Sequence, residues 1–112
     1  MESIRQQKVA RLVQKELGGI FQNELRSLFA GSMITVTKVR ITPDLAMAKV
    51  YLSIFGSGEP KEVIEDVRNH AGDIRRRFGN YTHNQLRHIP EFQFYIDDSL
   101  DYVDEIESLL KK

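Results

Sequence analysis

Residues 68–79 read RNHAGDIRRRFG, and this stretch decides how the second half of the chain folds. A glycine in a helix interior costs about 1 kcal/mol relative to alanine, so Gly72 is an unusual residue to find inside a helical pattern. The apolar residues on both sides nevertheless stay in one helical phase. They recur at spacings of four, three and four, at Val67, Ala71, Ile74 and Phe78. We therefore expect two helices joined by a kink near Gly72 instead of a long loop.

The segment before this stretch predicts a β-hairpin. β-Branched residues dominate two runs, Met33–Thr42 and Ala46–Phe55, and the sequence TPD separates them. In the first run the apolar phase switches near Thr37 and Lys38, which predicts a β-bulge or a strong local twist. Pro60 suits the first turn of the helix that follows, because its missing N–H costs nothing there.

The N-terminal segment predicts one long helix, about Ile4 to Phe29, with Gly31 as its C-cap. Ser3 and Gln6 have the spacing of a capping box at its start. Gly18 and Gly19 interrupt it midway, and they indicate either close packing against another element, which we favour, or a flexible point. An apolar stripe at helical spacing supports the helix: Val9, Leu12, Val13, Leu17, Ile20, Phe21, Leu25 and Leu28.

The C-terminal segment predicts a third strand and a short acidic helix. Phe92, Phe94 and Ile96 alternate with polar residues, and a second amphipathic pattern begins at Asp98 or Ser99. The fold class is therefore α+β, in the order α–β–β–α–kink–α–β, with a three-stranded sheet packed on helices. We expect one domain over residues 1–97 and an acidic tail helix over residues 98–112.

Composition and charge narrow the classes of function. The 112 residues suit a single domain, and they include no cysteine for a disulfide or a thiol nucleophile. The sequence shows no apolar run of about 20 residues and no signal peptide, so we expect a cytoplasmic protein with no membrane partner. Net charge is zero, yet residues 1–88 carry +5 and residues 89–112 carry −5. A polyanion would therefore be attracted to the basic segment, residues 1–88.

Catalytic and metal-binding patterns are weak. No phosphate loop, dinucleotide motif or nucleophile elbow is present. His70, His83 and His88 lack the spacing of a metal site, and we expect no cofactor and no metal. Asp97 and Asp98 are adjacent carboxylates, but Asp98 more simply caps a helix.

Basic residues cluster more clearly, on two helix faces and on the hairpin. Each cluster alone is compatible with an ordinary solvated face, whereas together they favour binding to a phosphate backbone. We predict the RNA-binding residues to be Arg5, Lys8, Arg11, Lys15, Lys38, Arg40, Arg75, Arg76, Arg77 and Arg87. Helical phase places Arg76 opposite the apolar stripe, with Arg75 and Arg77 beside it.

The chain resembles the ribosome-binding factor A family, bacterial assembly factors of the small ribosomal subunit, over nearly its whole length. The most specific segments are TPDLAMAKVYLSIF (42–55) and LRHIPEFQFYIDDSL (86–100), supported by KVARLVQKEL (8–17). The family usually has Ser/Thr-Pro-Asp-Leu before an AKVYxS strand. Its third strand usually follows Pro-Glu-aliphatic and ends in Asp-Asp-Ser-Leu. This chain has Phe92 at the aliphatic position.

The resemblance implies a type II KH-like domain. KH domains clamp a nucleic-acid backbone with a GXXG loop, and this family reduces that loop to a kink, usually Ala-x-Gly. The corresponding residues here are His70, Ala71 and Gly72, so a histidine replaces the alanine. A second departure is GNYTH (79–83), where relatives carry more arginine or lysine. Either the grip on RNA is weaker at that edge, or Tyr81 and His83 are used instead.

The resemblance also implies a function without catalysis. Family members bind the immature small subunit and its ribosomal RNA, support processing of the precursor 5′ end, matter for growth in the cold and leave before translation starts. We expect a monomer that meets the small subunit and possible further assembly factors. The alternative is a protein–protein adaptor that docks through the acidic tail or the first helix.

Overall fold

The computed structural model describes residues 2–25, 28–29, 31–56 and 58–97. The helices and strands follow the predicted order. They are α1 (Ile4–Gly19), a π-helical turn (Ile20–Glu24), β1 (Ser32–Ile41), β2 (Met47–Gly56), α2 (Pro60–Asn69), α3 (Ala71–Thr82) and β3 (Glu91–Ile96). Within these described ranges, no helix has the length and apolar character needed to cross a membrane.

The sheet has the order β1-β2-β3, and the helices cover one of its faces. β1 pairs antiparallel with β2, and β2 pairs parallel with β3. The register shifts between Val36 and Lys38, so the bulge predicted near Thr37 is confirmed. Alternate residues of all three strands join the helix stripes in one core that includes Val50, Leu52 and Phe94. The predicted α+β class is confirmed.

Two glutamine side chains attach α1 to β1. The capping box is present, because Ser3 Oγ accepts from the Gln6 N–H and Gln6 Oε1 accepts from the Ser3 N–H. The other end of the same buried amide donates to the Ile41 carbonyl oxygen at 2.8 Å. Two turns further on, Gln14 Nε2 donates to the Val36 carbonyl oxygen at 3.3 Å, next to the bulge. These bonds fix the N-terminal half of α1 along the first strand.

The predicted end of the first helix was wrong. Regular α-helix ends at Gly19, the π-helical turn ends at Glu24, and Leu25 leaves the helical region with φ −103° and ψ 8°. Leu25 and Phe29 are buried by a turn in which both the Leu28 and Phe29 N–H groups donate to the Leu25 carbonyl oxygen. The apolar stripe therefore outlasts the helix, and Leu28 is 48% exposed.

Close packing does not explain Gly18 and Gly19. A Cβ atom built on either residue meets no heavy atom within 4 Å, so the favoured interpretation was wrong. The two glycines instead lie immediately before the change from α-helical to π-helical geometry at Ile20. π-Helical geometry is rare in proteins and occurs mostly as single turns associated with α-helices. Here the turn buries both Ile20 and Phe21.

The helix–kink–helix prediction is confirmed, with the break at His70. This residue has φ −102° and ψ 12°, and it separates α2 from α3. Ala71 and Gly72 lie in the first turn of α3, and Gly72 does not have a positive φ. The glycine predicted to form the kink is therefore a helical residue.

Smaller boundaries also moved. Both hairpin strands are displaced by one residue, since β1 begins at Ser32 and β2 begins at Met47. The helix over residues 71–82 continues through Gly79 to Thr82, whose hydroxyl donates to the Phe78 carbonyl oxygen. The predicted tail helix over residues 98–112 lies outside the described residues.

Candidate nucleic-acid interface

The turn between β1 and β2 is held by its own side chains. The hydroxyl of Thr42 donates to Asp44 Oδ1 at 2.6 Å, and the Ala46 N–H donates to the same oxygen at 3.1 Å. These two bonds hold the pKa of Asp44 below its usual value. Leu45 takes a left-handed conformation, φ 61°, that closes the turn and packs its side chain on the core. These contacts hold the turn in one conformation, and the turn forms one wall of a groove.

This wall and the N-terminus of α1 enclose a groove with the segment between α3 and β3. We call it the basic groove; its volume is about 780 Å³. Its floor is apolar and includes Val9, Leu12 and Pro90. Exposed cationic and imidazole side chains line its edges: Arg5, Lys8, Arg87 and His88. Three predicted cations, two from α1 and one from the segment before β3, therefore line one groove.

A second hollow lies on the other side of the turn and shares His88 with the basic groove. Its volume is about 850 Å³, and Arg75 lines it. The guanidinium of Arg75 donates from Nε to the Pro90 carbonyl oxygen at 3.1 Å and from Nη2 to the Ile89 carbonyl oxygen at 2.7 Å. Arg75 therefore fixes the segment that carries Arg87 and His88.

Arg76 and Arg77 are bound to carboxylates. Both guanidinium groups bind Asp73, and Arg77 also reaches Glu24 of the π-helical turn at 3.1 Å. Hydrogen bonds from Arg76 and then Arg77 lower the pKa of Asp73, and hydrogen bonds to Asp73 and Glu24 raise the pKa of Arg77. A hydrogen bond to Glu24 likewise raises the pKa of Tyr81. Of these two arginines, only Arg76, with a side chain 69% exposed, projects into solvent.

The predicted cations thus divide by their partners. Within the residues the structure describes, salt bridges involve only Arg68, Arg76 and Arg77 among the cations. Arg75 binds two backbone carbonyl oxygens instead of a carboxylate. The other candidates are exposed and form no ion pair with any described residue: Arg5, Lys8, Arg11, Lys15, Lys38, Arg40 and Arg87. An unpaired surface cation can meet a phosphate without first losing a carboxylate.

His70 has a structural role at the kink. Its Nδ1 lies 2.7 Å from the Asp66 carbonyl oxygen, and because a carbonyl oxygen only accepts, Nδ1 is the donor. The ring also meets Phe29 edge-on, with centroids 5.9 Å apart. The histidine that replaces a small residue therefore caps the end of α2 and packs against the turn that follows the π-helical segment.

The kink faces a shallow groove along the free edge of β3, which we call the edge groove. It has a volume of about 310 Å³, and Ala71 and Gln93 line it. Arg68 occupies its rim, where Nε and Nη2 donate to the Phe94 carbonyl oxygen at 3.2 and 2.8 Å. A strand-edge carbonyl that would otherwise be open to a ligand backbone is already bound.

Lys38 and Arg40 lie elsewhere, on the side of the sheet away from the helices. We call this side the outer sheet face. Lys49 stands opposite Arg40 in the register, and the Lys38 Nζ atom lies 5.8 Å from the ring centroid of Tyr51. The seven predicted cations that form no ion pair with a described residue therefore occupy three surfaces: the basic groove, the outer sheet face and the remaining exposed length of α1 with Arg11 and Lys15.

The capping-box spacing predicted one role of Gln6, but its bond to the Ile41 carbonyl oxygen was not predicted. The bond from Arg68 to Phe94 and the position of His88 at the basic groove were not predicted either. No local pattern indicates these three features, because each involves a partner far along the chain or a segment without periodicity. The described residues contain no group of three or more His, Cys, Asp or Glu side chains arranged to hold a metal ion.

Sequence comparison assigns the chain to a family. The family described as Ribosome-binding factor A matches residues 5–110. The chain belongs to the ribosome-binding factor A family. A relative of that name from Cytophaga hutchinsonii is 43% identical over all of this chain and 84% of its own length. Another from Christiangramia forsetii is 45% identical over 98% of this chain and 85% of its own length.

Solved structures of the ribosome-binding factor A family share the fold. The crystal structure of ribosome-binding factor A from Thermus thermophilus aligns with a TM-score of 0.64 at 15% identity, over 81% of this chain and 94% of that chain. A homology model of the Thermus thermophilus factor, fitted into a cryo-EM map of its 30S complex, aligns with a TM-score of 0.66 at 17% identity. That alignment covers 80% of this chain and 91% of the other.

Proposed function

We propose that the protein is a ribosome assembly factor that binds the small ribosomal subunit through its RNA. The observation that carries this proposal is the meeting of Arg5, Lys8 and Arg87 at one groove in a chain of the ribosome-binding factor A family. A relative of the same fold has been fitted into a 30S complex, which supports the choice of the small subunit as partner.

The role requires binding and no chemical step. Phosphate contacts set position and affinity, and each one contributes to the salt dependence of binding. In this proposal the protein acts in the cytoplasm as a monomer, joins the immature subunit late in assembly, supports processing of the precursor 5′ end and leaves before translation. Loss of the protein would then slow growth most at low temperature.

The basic groove is the primary phosphate site in this proposal. Its cations are unpaired among the described residues, whereas Arg75 and Arg77 are held by groups of the protein itself. Charge reversal across residues 75–77 would therefore disturb the fold together with any RNA contact. Arg76 alone is suited to testing that edge, because its side chain projects from α3 and an exposed ion pair contributes little to stability.

The test is binding of the purified protein to purified small ribosomal subunits at several salt concentrations. Replacing Arg5, Lys8 and Arg87 together by Gln should make the negative slope of log K against log salt shallower by about three, because three phosphate contacts are removed. Lys61→Gln is the matched control, since Lys61 is an exposed cation on α2 away from these surfaces. An unchanged slope in the triple variant would exclude the basic groove.

The adaptor alternative predicts a different result in the same assay. A contact made mainly with ribosomal protein would give a shallow salt response in the unmodified protein. Digesting the subunit's ribosomal proteins before binding would abolish such a contact and leave an RNA contact in place.

A further inference from the structure

The outer sheet face carries aromatic and cationic side chains in two adjacent cross-strand rows. In one row Lys38, Tyr51 and Tyr95 stand side by side on β1, β2 and β3. In the next row Arg40, Lys49 and Gln93 do the same. Rows on one face of a strand are two residues apart, roughly 6.6 Å. Neither the helix stripes nor the basic groove uses any of these side chains.

The tyrosine row is ordered by contacts within the protein. The rings of Tyr51 and Tyr95 are stacked, with centroids 5.5 Å apart and planes 29° from parallel. The ammonium group of Lys38 lies within cation–π distance of Tyr51. The hydroxyl of Tyr95 donates to Gln93 Oε1 at 2.8 Å. Two aromatic rings are thus held in fixed positions on a half-exposed surface.

Charge on this face favours an anionic partner. Lys38, Arg40 and Lys49 are exposed and form no salt bridge within the described parts of the chain. The carboxylates of the face stand at its two ends: Glu91 lies beside Met47, and Asp97 binds the Thr37 hydroxyl at the bulge. Among the described residues, the three cations of the two central rows form no ion pair with either carboxylate.

We infer that the outer sheet face is a second RNA-binding surface, on which unpaired bases stack against Tyr51 and Tyr95 while Lys38, Arg40 and Lys49 hold the phosphates. Aromatic side chains on an open sheet stack bases without regard to sequence, and flanking cations follow the backbone. Double-stranded RNA hides its base faces, so the partner is a single-stranded segment. The inference rests on the proposed function only in taking RNA as the partner.

The inference is tested with two probes of equal charge. One is a fluorescein-labelled single-stranded RNA of about ten nucleotides, and the other is an abasic phosphodiester oligomer of the same length. Anisotropy titrations use the full chain and the single variants Tyr51→Leu and Tyr95→Leu, which remove the ring, beside Tyr51→Phe and Tyr95→Phe, which keep it. Circular dichroism at the titration temperature verifies that each variant is folded.

Each Leu variant should bind the RNA about tenfold more weakly, and each Phe variant should bind within about twofold of the unmodified chain. Affinity for the abasic oligomer should not change in any of these four variants, because that probe has no bases to stack. The double variant Lys38→Met with Lys49→Met should bind both probes more weakly, whereas Lys61→Met should bind both with unchanged affinity.

Equal affinity of the Leu variants and the unmodified chain for the RNA would overturn the inference. An equal loss for both probes would overturn it as well, because the tyrosines would then act through charge or fold instead of stacking. Loss of small-subunit binding in the Leu variants with unchanged RNA affinity would assign the face to a ribosomal protein and exclude RNA there.

Amide chemical shifts of the full chain provide a measurement that needs no variant. Adding the RNA should move the signals of the two central rows, at Lys38, Arg40, Lys49, Tyr51, Gln93 and Tyr95. Changes confined to the basic groove, or to Arg68 and Ala71 at the edge groove, would contradict the inference. If the unmodified chain bound small subunits and the rows did not respond, the proposed function would stand and this inference would fail. If the rows responded to RNA and the unmodified chain did not bind small subunits, this inference would stand and the proposed function would fail.

Discussion

The side-chain amide of Gln6 donates to the carbonyl oxygen of Ile41 at 2.8 Å, across 35 residues of sequence. This bond places the first turn of α1 beside the end of β1, where the turn that walls the basic groove begins. Arg5 and Lys8 flank Gln6 on the same helix, so their positions depend on it. A buried amide far from any ligand thus helps to build the candidate RNA site.

Gln6→Ala should destabilise the protein by about 1–3 kcal/mol, because it leaves the buried Ile41 carbonyl oxygen without its donor and removes half of the capping box. Gln7→Ala is the matched control, since the Gln7 side chain is exposed and makes only a 3.4 Å contact with the Glu2 carbonyl oxygen. Urea denaturation followed by circular dichroism measures both. Equal stabilities of the two variants would contradict the proposed anchoring.

Gly72→Ala should stabilise the protein by about 0.5–1 kcal/mol. The residue is helical, its φ is not positive, and a Cβ built on it meets nothing within 4 Å, so alanine only reduces the freedom of the unfolded chain. A glycine required for the kink would behave in the opposite way. A lower denaturation midpoint in Gly72→Ala would show that Gly72, and not His70, determines the kink.

Gly56→Ala should destabilise by about 3 kcal/mol and serves as the contrasting substitution. Gly56 has φ +129°, and a Cβ there would overlap the carbonyl oxygen of Gly31, which is backbone and cannot turn aside. The same denaturation assay applies. A Gly56→Ala variant as stable as the unmodified chain would show that the end of the hairpin and Gly31 are not held together as described.

Acid should weaken the junction between α3 and the π-helical turn. The pKa of Asp73 is lowered from 3.8 by Arg76 and Arg77, so its stabilising effect is complete above that value and is lost as pH falls through the still lower folded-state pKa. The melting temperature of the unmodified protein should therefore fall more steeply from about pH 5 to about pH 2 than that of Asp73→Asn. Parallel profiles for the two proteins would show that Asp73 contributes nothing.

Local patterns were sufficient for most of the fold. The bulge at Thr37 follows from the switch of apolar phase in β1, and the continuity of α2 and α3 follows from the stripe through Val67 and Ile74. Both features depend on residues close in sequence. The end of the first helix did not follow, because Leu25 and Phe29 stay buried after the chain has left helical geometry.

The candidate site was predicted only in part. Sequence identified the cations but could not sort them, because sorting depends on distant partners. Arg77 is paired with Glu24, 53 residues away, and Arg75 binds two carbonyl oxygens before β3. The meeting of Arg5 and Arg87 at one groove likewise depends on three segments folding together.

Binding to the small ribosomal subunit in cells is measured by sedimenting a lysate through a sucrose gradient and detecting this protein in every fraction. An assembly factor of the small subunit should co-migrate with free small ribosomal subunits and be absent from translating ribosomes. Co-migration should be lost when Arg5, Lys8 and Arg87 are replaced by Gln. Unmodified protein that stays at the top of the gradient, or that distributes with translating ribosomes, would rule out the proposed function.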